Sequence, residues 1–483
     1  MRDHSFTRPL VSLLASALCV LAARGTTAAT PPDYAIIVSA RTQADPAWTR
    51  VVSTLKSNHH ATVWTYRQQL EEVLPSLRKQ FPRFACFVAQ PDEAGRDYVA
   101  RIHNLTRRLD EDPYTDCFWG ILTGYDAQSA LRTALHREPL TVRKVASGTD
   151  VALEMCEQGL WYDELVKNKH VKKEKGGPIQ TLKGPDDTTA ALVSSLVDYQ
   201  ADLFVTSGHA TERDWQIGYT YRNGSFRCEN GLLYGLDTAK HRLPIQSPNP
   251  KVYLPIGNCL MGHVDGRDAM ALAWMNSAGV KQMIGYTVPS WYGYAGWGCL
   301  DFFVEQPGRY TFTEAFFANE QALIHRLKTH FPGAESSTLN AEGAPTATIP
   351  PSPKARTASL NSQDLHGLCY DRDTVAFYGD PAWIARMAPA ATAWEQTLEE
   401  KSGSWTLTIT PKRGEKSYDP INRNGSQRGG RPFIAFLPGR ISSAKITSGA
   451  EWNPEITDTF ILIPNPGAPA RPIQVTFKAK TIR

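Results

Sequence analysis

Two short apolar runs, each ending on a reactive side chain, constrain this chain more than any other feature. Leu203, Phe204, Val205 and Thr206 lead through Ser207 and Gly208 to His209. Val252, Tyr253, Leu254, Pro255 and Ile256 lead through Gly257 and Asn258 to Cys259. Short continuous apolar runs bounded by small residues fit strands covered on both faces, as in a parallel sheet. In such a sheet the loops beyond the carboxyl ends of neighbouring strands converge on one crevice. If these two strands are neighbours, the imidazole and the thiol share that crevice. A thiol is mostly protonated near neutral pH, and an imidazole beside it accepts the proton and later returns it to a leaving amine. Alone, a cysteine ending a strand is more often packing, and a histidine after Ser-Gly is more often a loop residue. At the ends of two strands together, they point to a nucleophile and its base.

The surrounding chain alternates strand and helix. Strand patterns at 34–39, 62–66 and 84–88 are separated by amphipathic helical patterns, the first with Trp48, Val51, Val52 and Leu55 on one face, the second with Leu70, Val73, Leu74 and Leu77. Repeated βα units with apolar strands imply a mainly parallel sheet covered by helices on both faces. A first α/β subdomain spans 30–145 and a second, carrying His209 and Cys259, spans 146–388. Within the second, residues 332–362 are rich in Pro, Ala, Ser and Thr and read as a disordered insertion. From 389 to 483 the runs at 405–410, 433–436, 460–463 and 473–477 are β-like and separated by turn residues, which reads as a small β-sandwich.

Composition excludes several classes of function. With 52 basic against 48 acidic side chains, the net charge of +4 is not concentrated, so no nucleic-acid partner is expected. The densest basic run, 167–175, reads as a solvated loop. Residues 1–29 carry Arg2 and Arg8, an apolar core over 10–23 and the small residues Thr27, Ala28 and Ala29, the pattern of a cleaved export signal. No other apolar stretch is long enough to span a membrane, so a secreted or periplasmic protein, monomeric in its work, is expected. Seven cysteines remain after that signal, an odd number that leaves at least one thiol unpaired in an oxidising compartment. No Cys or His spacing matches a zinc site. His209, His263, Asp265 and Asp268 have the right types for a metal but not the spacing.

The two strand ends also carry a resemblance. Thr206-Ser207-Gly208-His209 and Ile256-Gly257-Asn258-Cys259 resemble the His and Cys blocks of the caspase, legumain and gingipain clan of cysteine peptidases. The gingipain branch is the most similar, through residues 280–287 before Ser290-Trp291, the helical segment 312–316, and Phe377-Tyr378-Gly379-Asp380-Pro381. The motifs occur in the same order across about 33–388.

The resemblance implies two caspase-like, doubly wound α/β/α subdomains with mainly parallel sheets, followed by a small all-β, immunoglobulin-like domain. It implies a secreted cysteine endopeptidase acting on protein or peptide substrates without a cofactor or metal. His209 would be the base, Cys259 the nucleophile, and the amides of Gly208 and Cys259 the oxyanion donors. Asp126 is the nearest match to an acidic residue lining the family's primary pocket, and Trp291 matches a tryptophan that covers the substrate's primary side chain. One position departs: the family's glycine after the histidine is Ala210 here, which fits without strain only if its φ is negative. The alternative is an inactive scaffold of the same fold that binds a partner at the cell exterior. A metal-dependent hydrolase built on His209, His263 and Asp265 is the third reading.

Overall fold

In strand Tyr34–Ser39 every residue is buried, and successive side chains go to opposite sides. Ile36 and Val38 pack with Trp48, Val51, Val52 and Leu55 of helix Pro46–His59, whereas Ala35 and Ile37 join Leu70, Val73 and Leu77 in the main core. Because strand side chains alternate, a strand apolar at every position must be covered on both faces. The computed structural model, which describes residues 33–337 and 349–482, therefore has helices on both sides of its sheet. The segment 1–29 read as an export signal lies outside the described residues. No helix among them is long and apolar enough to cross a membrane.

The central sheet has twelve strands. From one edge they run Thr62–Tyr66, Tyr34–Ser39, Phe84–Val88, Phe118–Leu122, Val375–Tyr378, Val280–Tyr286, Lys251–Pro255, Leu203–Thr206, Lys144–Ser147, Gln158–Tyr162, Lys169–Lys173 and Ile179–Lys183. The two subdomains expected as separate sheets are thus halves of one. The strand that joins them, Val375–Tyr378, follows the Pro-rich segment. It runs antiparallel to Val280–Tyr286 and meets Phe118–Leu122 through a single pair, Tyr378 opposite Ile121. A join made by residues more than two hundred positions apart leaves no local trace in the sequence.

Three further expectations are corrected. The basic run read as a solvated loop contains the strand Lys169–Lys173, paired antiparallel with Ile179–Lys183 at the sheet edge. Val171 points inward between half-buried neighbours, and lysines on an edge hairpin discourage further strand pairing. Of the insertion at 332–362, residues 338–348 lie outside the described residues. The rest includes helix Pro353–Thr357 and the buried Ala355 and Leu360, held in one cluster with Leu323 and Leu327. After His209, the segment 211–215, whose polar residues read as a loop, runs into the first strand of a four-stranded antiparallel sheet, Asp214–Gln216, Ser225–Glu229, Leu232–Leu236 and Arg242–Ile245.

The C-terminal region forms two antiparallel sheets, four strands in the order Trp394–Lys401, Ser404–Pro411, Ile473–Thr481, Ile441–Ser448, and three in the order Phe433–Phe436, Phe460–Ile463, Glu455–Ile456. A sandwich was expected, but the strand order departs from that of immunoglobulin constant domains. The last strand lies in the four-stranded sheet, where that fold places its fifth. The sandwich has its own core around Trp405, Leu407, Ile461 and Phe477. It is also docked: Ile434, Phe460 and Leu462 belong to the core of the α/β body, and Phe436 meets Phe118 edge-on at 4.8 Å.

Candidate active site

The histidine and thiol strands are parallel neighbours, with Leu203 opposite Val252 and Thr206 opposite Pro255. Beneath their ends lies an aromatic cluster. Tyr253 stacks on Trp274 at 4.0 Å, and Phe204 touches Trp215, Phe226 and Trp274. Such pairs contribute about 0.5–1.5 kcal/mol each beyond their buried area, so the two strand ends sit on a stiff base. His209 and Cys259 then line one open cleft of about 400 Å³, together with Glu164, Gly208, Tyr219 and Trp291.

Each reactive side chain is held on one side only. The backbone N–H of Ser290 donates to Cys259 Sγ at 3.2 Å, and the thiol donates to Ser290 O at 3.6 Å. The His209 ring stacks on Tyr219 with centroids 4.7 Å apart. Its backbone carbonyl accepts from Gln216 N at 2.9 Å. Gly208 has φ +90, the left-handed conformation that only glycine adopts freely, and it turns the chain so that His209 projects from the strand end. Ala210 is not left-handed and makes a β-bridge to Trp215, so an alanine at this position carries no backbone strain.

Two residues that sequence reasoning passed over organise the site. Asn258 is fully buried, and it accepts from Thr206 Oγ1 at 2.6 Å and donates to Gly208 O at 3.0 Å. One amide side chain thereby ties the loop of the histidine to the loop of the thiol. Its place beside Cys259 was legible, but its cross-strand partners were not. Glu164, just beyond strand Gln158–Tyr162, has its carboxylate in the cleft wall beside Gly208. Thr149 Oγ1 donates to its Oε1 at 2.9 Å, while Oε2 is buried without a hydrogen bond. Burial pushes this carboxyl up to about 7, against the opposing influence of the nearby Thr149 and Ser207 hydroxyls.

Trp291 lines the cleft and is 43% exposed. Asp126 does not line it. Its carboxylate accepts from Ser129 N and caps helix Ala127–Leu135. The preceding Tyr125 is covered by Arg267, whose guanidinium lies 4.4 Å over its ring, so the loop that follows Cys259 stands against this turn. Asp265 forms a two-bond ion pair with Arg213. Among the described residues the only carboxylate, His or Cys group with donors close enough to hold a metal is Asp110, Asp112 and Asp116, so His209, His263 and Asp265 do not form a metal site. Asp214 bonds to Thr211 rather than to the imidazole.

All seven described cysteines are unpaired. Cys86, Cys117, Cys156, Cys299 and Cys369 are buried, and burial raises the pKa of each thiol. Cys228 is pushed up to about 12 by the same cause. Compared with known proteins, this chain matches no family model, no curated protein and no solved structure.

Proposed function

We propose that this chain is an exported cysteine endopeptidase of the gingipain type. The observation that carries the reading is the convergence of His209 and Cys259 from adjacent parallel strands on one cleft, with an amide N–H already on the sulfur. In the proposed reaction the Sγ proton passes to His209 and the sulfur attacks the scissile carbonyl carbon. The oxyanion faces the amides of Gly208 and Cys259, donors fixed before the charge develops. As the C–N bond breaks, His209 returns the proton to the leaving nitrogen, and water then hydrolyses the thioester.

Glu164 takes the place in the primary pocket that the sequence reading assigned to Asp126. A half-satisfied buried carboxylate favours a Lys or Arg side chain, which would pair with it and keep it ionised. Trp291 offers the apolar wall along which such a side chain's methylenes would lie.

The test is cleavage of fluorogenic peptides varied at P1 by the parent chain and by Cys259→Ala under reducing conditions. The expected result is cleavage after Lys or Arg by the parent and none by the variant. A parent that cleaves none of them, with a Cys259 that alkylates no faster near pH 7 than an ordinary thiol, would leave the inactive scaffold as the better reading.

A further inference from the structure

The cleft has a second wall that the α/β body does not supply. Gly425 and Ser426 line it, and both belong to the loop between strands Ser404–Pro411 and Phe433–Phe436 of the C-terminal sandwich. Two anchors hold this loop. On one side, Arg428 and Arg431 meet Asp301 and Glu305 on and just beyond helix Tyr294–Phe303. Arg428 Nε lies 3.0 Å from Asp301 Oδ1, Arg431 Nε lies 3.1 Å from Asp301 Oδ2, and Arg428 also pairs with Glu305. All four side chains are at most 8% exposed. Gly429 N donates to Asp301 at 3.0 Å, and the two guanidinium groups lie over Trp297 and Tyr294. On the other side Asn424 donates to Asp150, three residues past strand Lys144–Ser147.

These anchors straddle the dyad. The helix carrying Asp301 packs on the thiol strand's end, where a Cβ at Gly296 would strike Ile256 O. Asp150 follows the strand beyond the histidine strand. A loop pinned at both places crosses the ends of the thiol and histidine strands in turn. Contact at the cleft is close: a Cβ at Gly425 would lie 2.5 Å from the Trp297 ring, and Ser426 Oγ is 3.4 Å from Tyr292 O.

We infer that the C-terminal sandwich is part of the substrate site, and that its loop, through Gly425 and Ser426, forms the wall against which an extended peptide lies beside Cys259. The inference rests on the proposed peptidase reading for the identity of the peptide, but not for the existence of the wall. Ser426 is exposed, so enlarging it leaves the core untouched.

The test uses the full chain and compares the parent with Ser426→Trp and Arg428→Gln. Two readouts are taken: alkylation of Cys259, followed by mass spectrometry at pH about 9 where any accessible thiol reacts, and peptide hydrolysis. Ser426→Trp is expected to slow a bulky maleimide at Cys259 by about tenfold while iodoacetamide changes less than about twofold, and to raise KM with kcat less affected. Arg428→Gln, which frees the loop, is expected to shift the maleimide-to-iodoacetamide ratio the opposite way. Unchanged ratios in both variants would overturn the inference. If the parent hydrolyses nothing, the peptidase reading fails and the alkylation ratio still decides whether the wall exists.

Discussion

The two halves of the central sheet are built alike and treat the polar groups beyond their strand ends differently. In the first half these groups bind one another. Ser39 Oγ and Thr42 Oγ1 both donate to Glu93, each at 2.5 Å, and Arg41 forms a two-bond pair with Asp92 at 2.6 and 2.7 Å. Ser39 also caps the short helix Ala40–Ala44. In the second half the polar groups are used to position others: the buried Asn258 bridges two loops, the Ser290 amide reaches the sulfur, and Glu164 keeps one oxygen without a partner. His209 and Cys259 remain open to the cleft. The same architecture thus yields a closed polar knot in one half and an open crevice in the other, and the side chains at strand ends decide which.

The contrast can be tested from its largest expected effect downwards. Cys259→Ala should abolish peptide hydrolysis, with a fall in kcat of about 10⁴-fold or more measured against the folded parent. Asn258→Ala removes the bridge between the loops. A decrease of about 10²-fold in kcat, with a loss of about 1–3 kcal/mol in stability from the Gly208 carbonyl left without its donor and the Thr206 hydroxyl left with Tyr253 alone, is expected in stopped-flow and denaturant measurements.

Glu164→Gln should reduce the preference for Lys or Arg over neutral residues at P1 by about tenfold or more. In the parent this carboxyl is neutral below about pH 7 and charged above it, so KM for cationic peptides should fall as pH rises through that value. The glutamine variant should show no such step. In the first half, Glu93→Gln should cost about 1–2 kcal/mol of stability while leaving kcat/KM unchanged, since its partners Ser39, Thr42, Arg41 and the Gln90 amide all belong to that half. A loss of activity there would erase the distinction between the halves. The smallest effect belongs to Asp126→Ala, which should cost about 1 kcal/mol through the lost helix cap and leave P1 preference as it was.

Much of the site was legible because the signals are local. Apolar runs that stop at Gly-His and Asn-Cys announce strand ends, and a run buried on both faces announces a parallel sheet. Trp291 was singled out only through its resemblance to a tryptophan of the gingipain branch, and it lines the cleft. Asp126 misled because a carboxylate after Gly-Tyr fits a pocket floor and a helix cap equally well. Only the placement of Ser129 and Arg267 separates the two. Glu164 was missed because nothing in its neighbours reports burial. Its environment is assembled by Thr149, Ser207 and Gly208, which come from adjacent strand ends.

By itself the sequence determined the alternation of strands and helices, the parallel core around His209 and Cys259, and the change to β-structure after about residue 389. These follow from periodicity and turn chemistry, which act over a few residues. Tertiary structure alone decided that the two halves share one sheet through Val375–Tyr378, that Glu164 rather than Asp126 stands in the cleft, and that the sandwich lends it a wall through Arg428 and Arg431. Each of these depends on partners far apart in the chain, brought together by burial of a common core, and no local pattern encodes such a meeting.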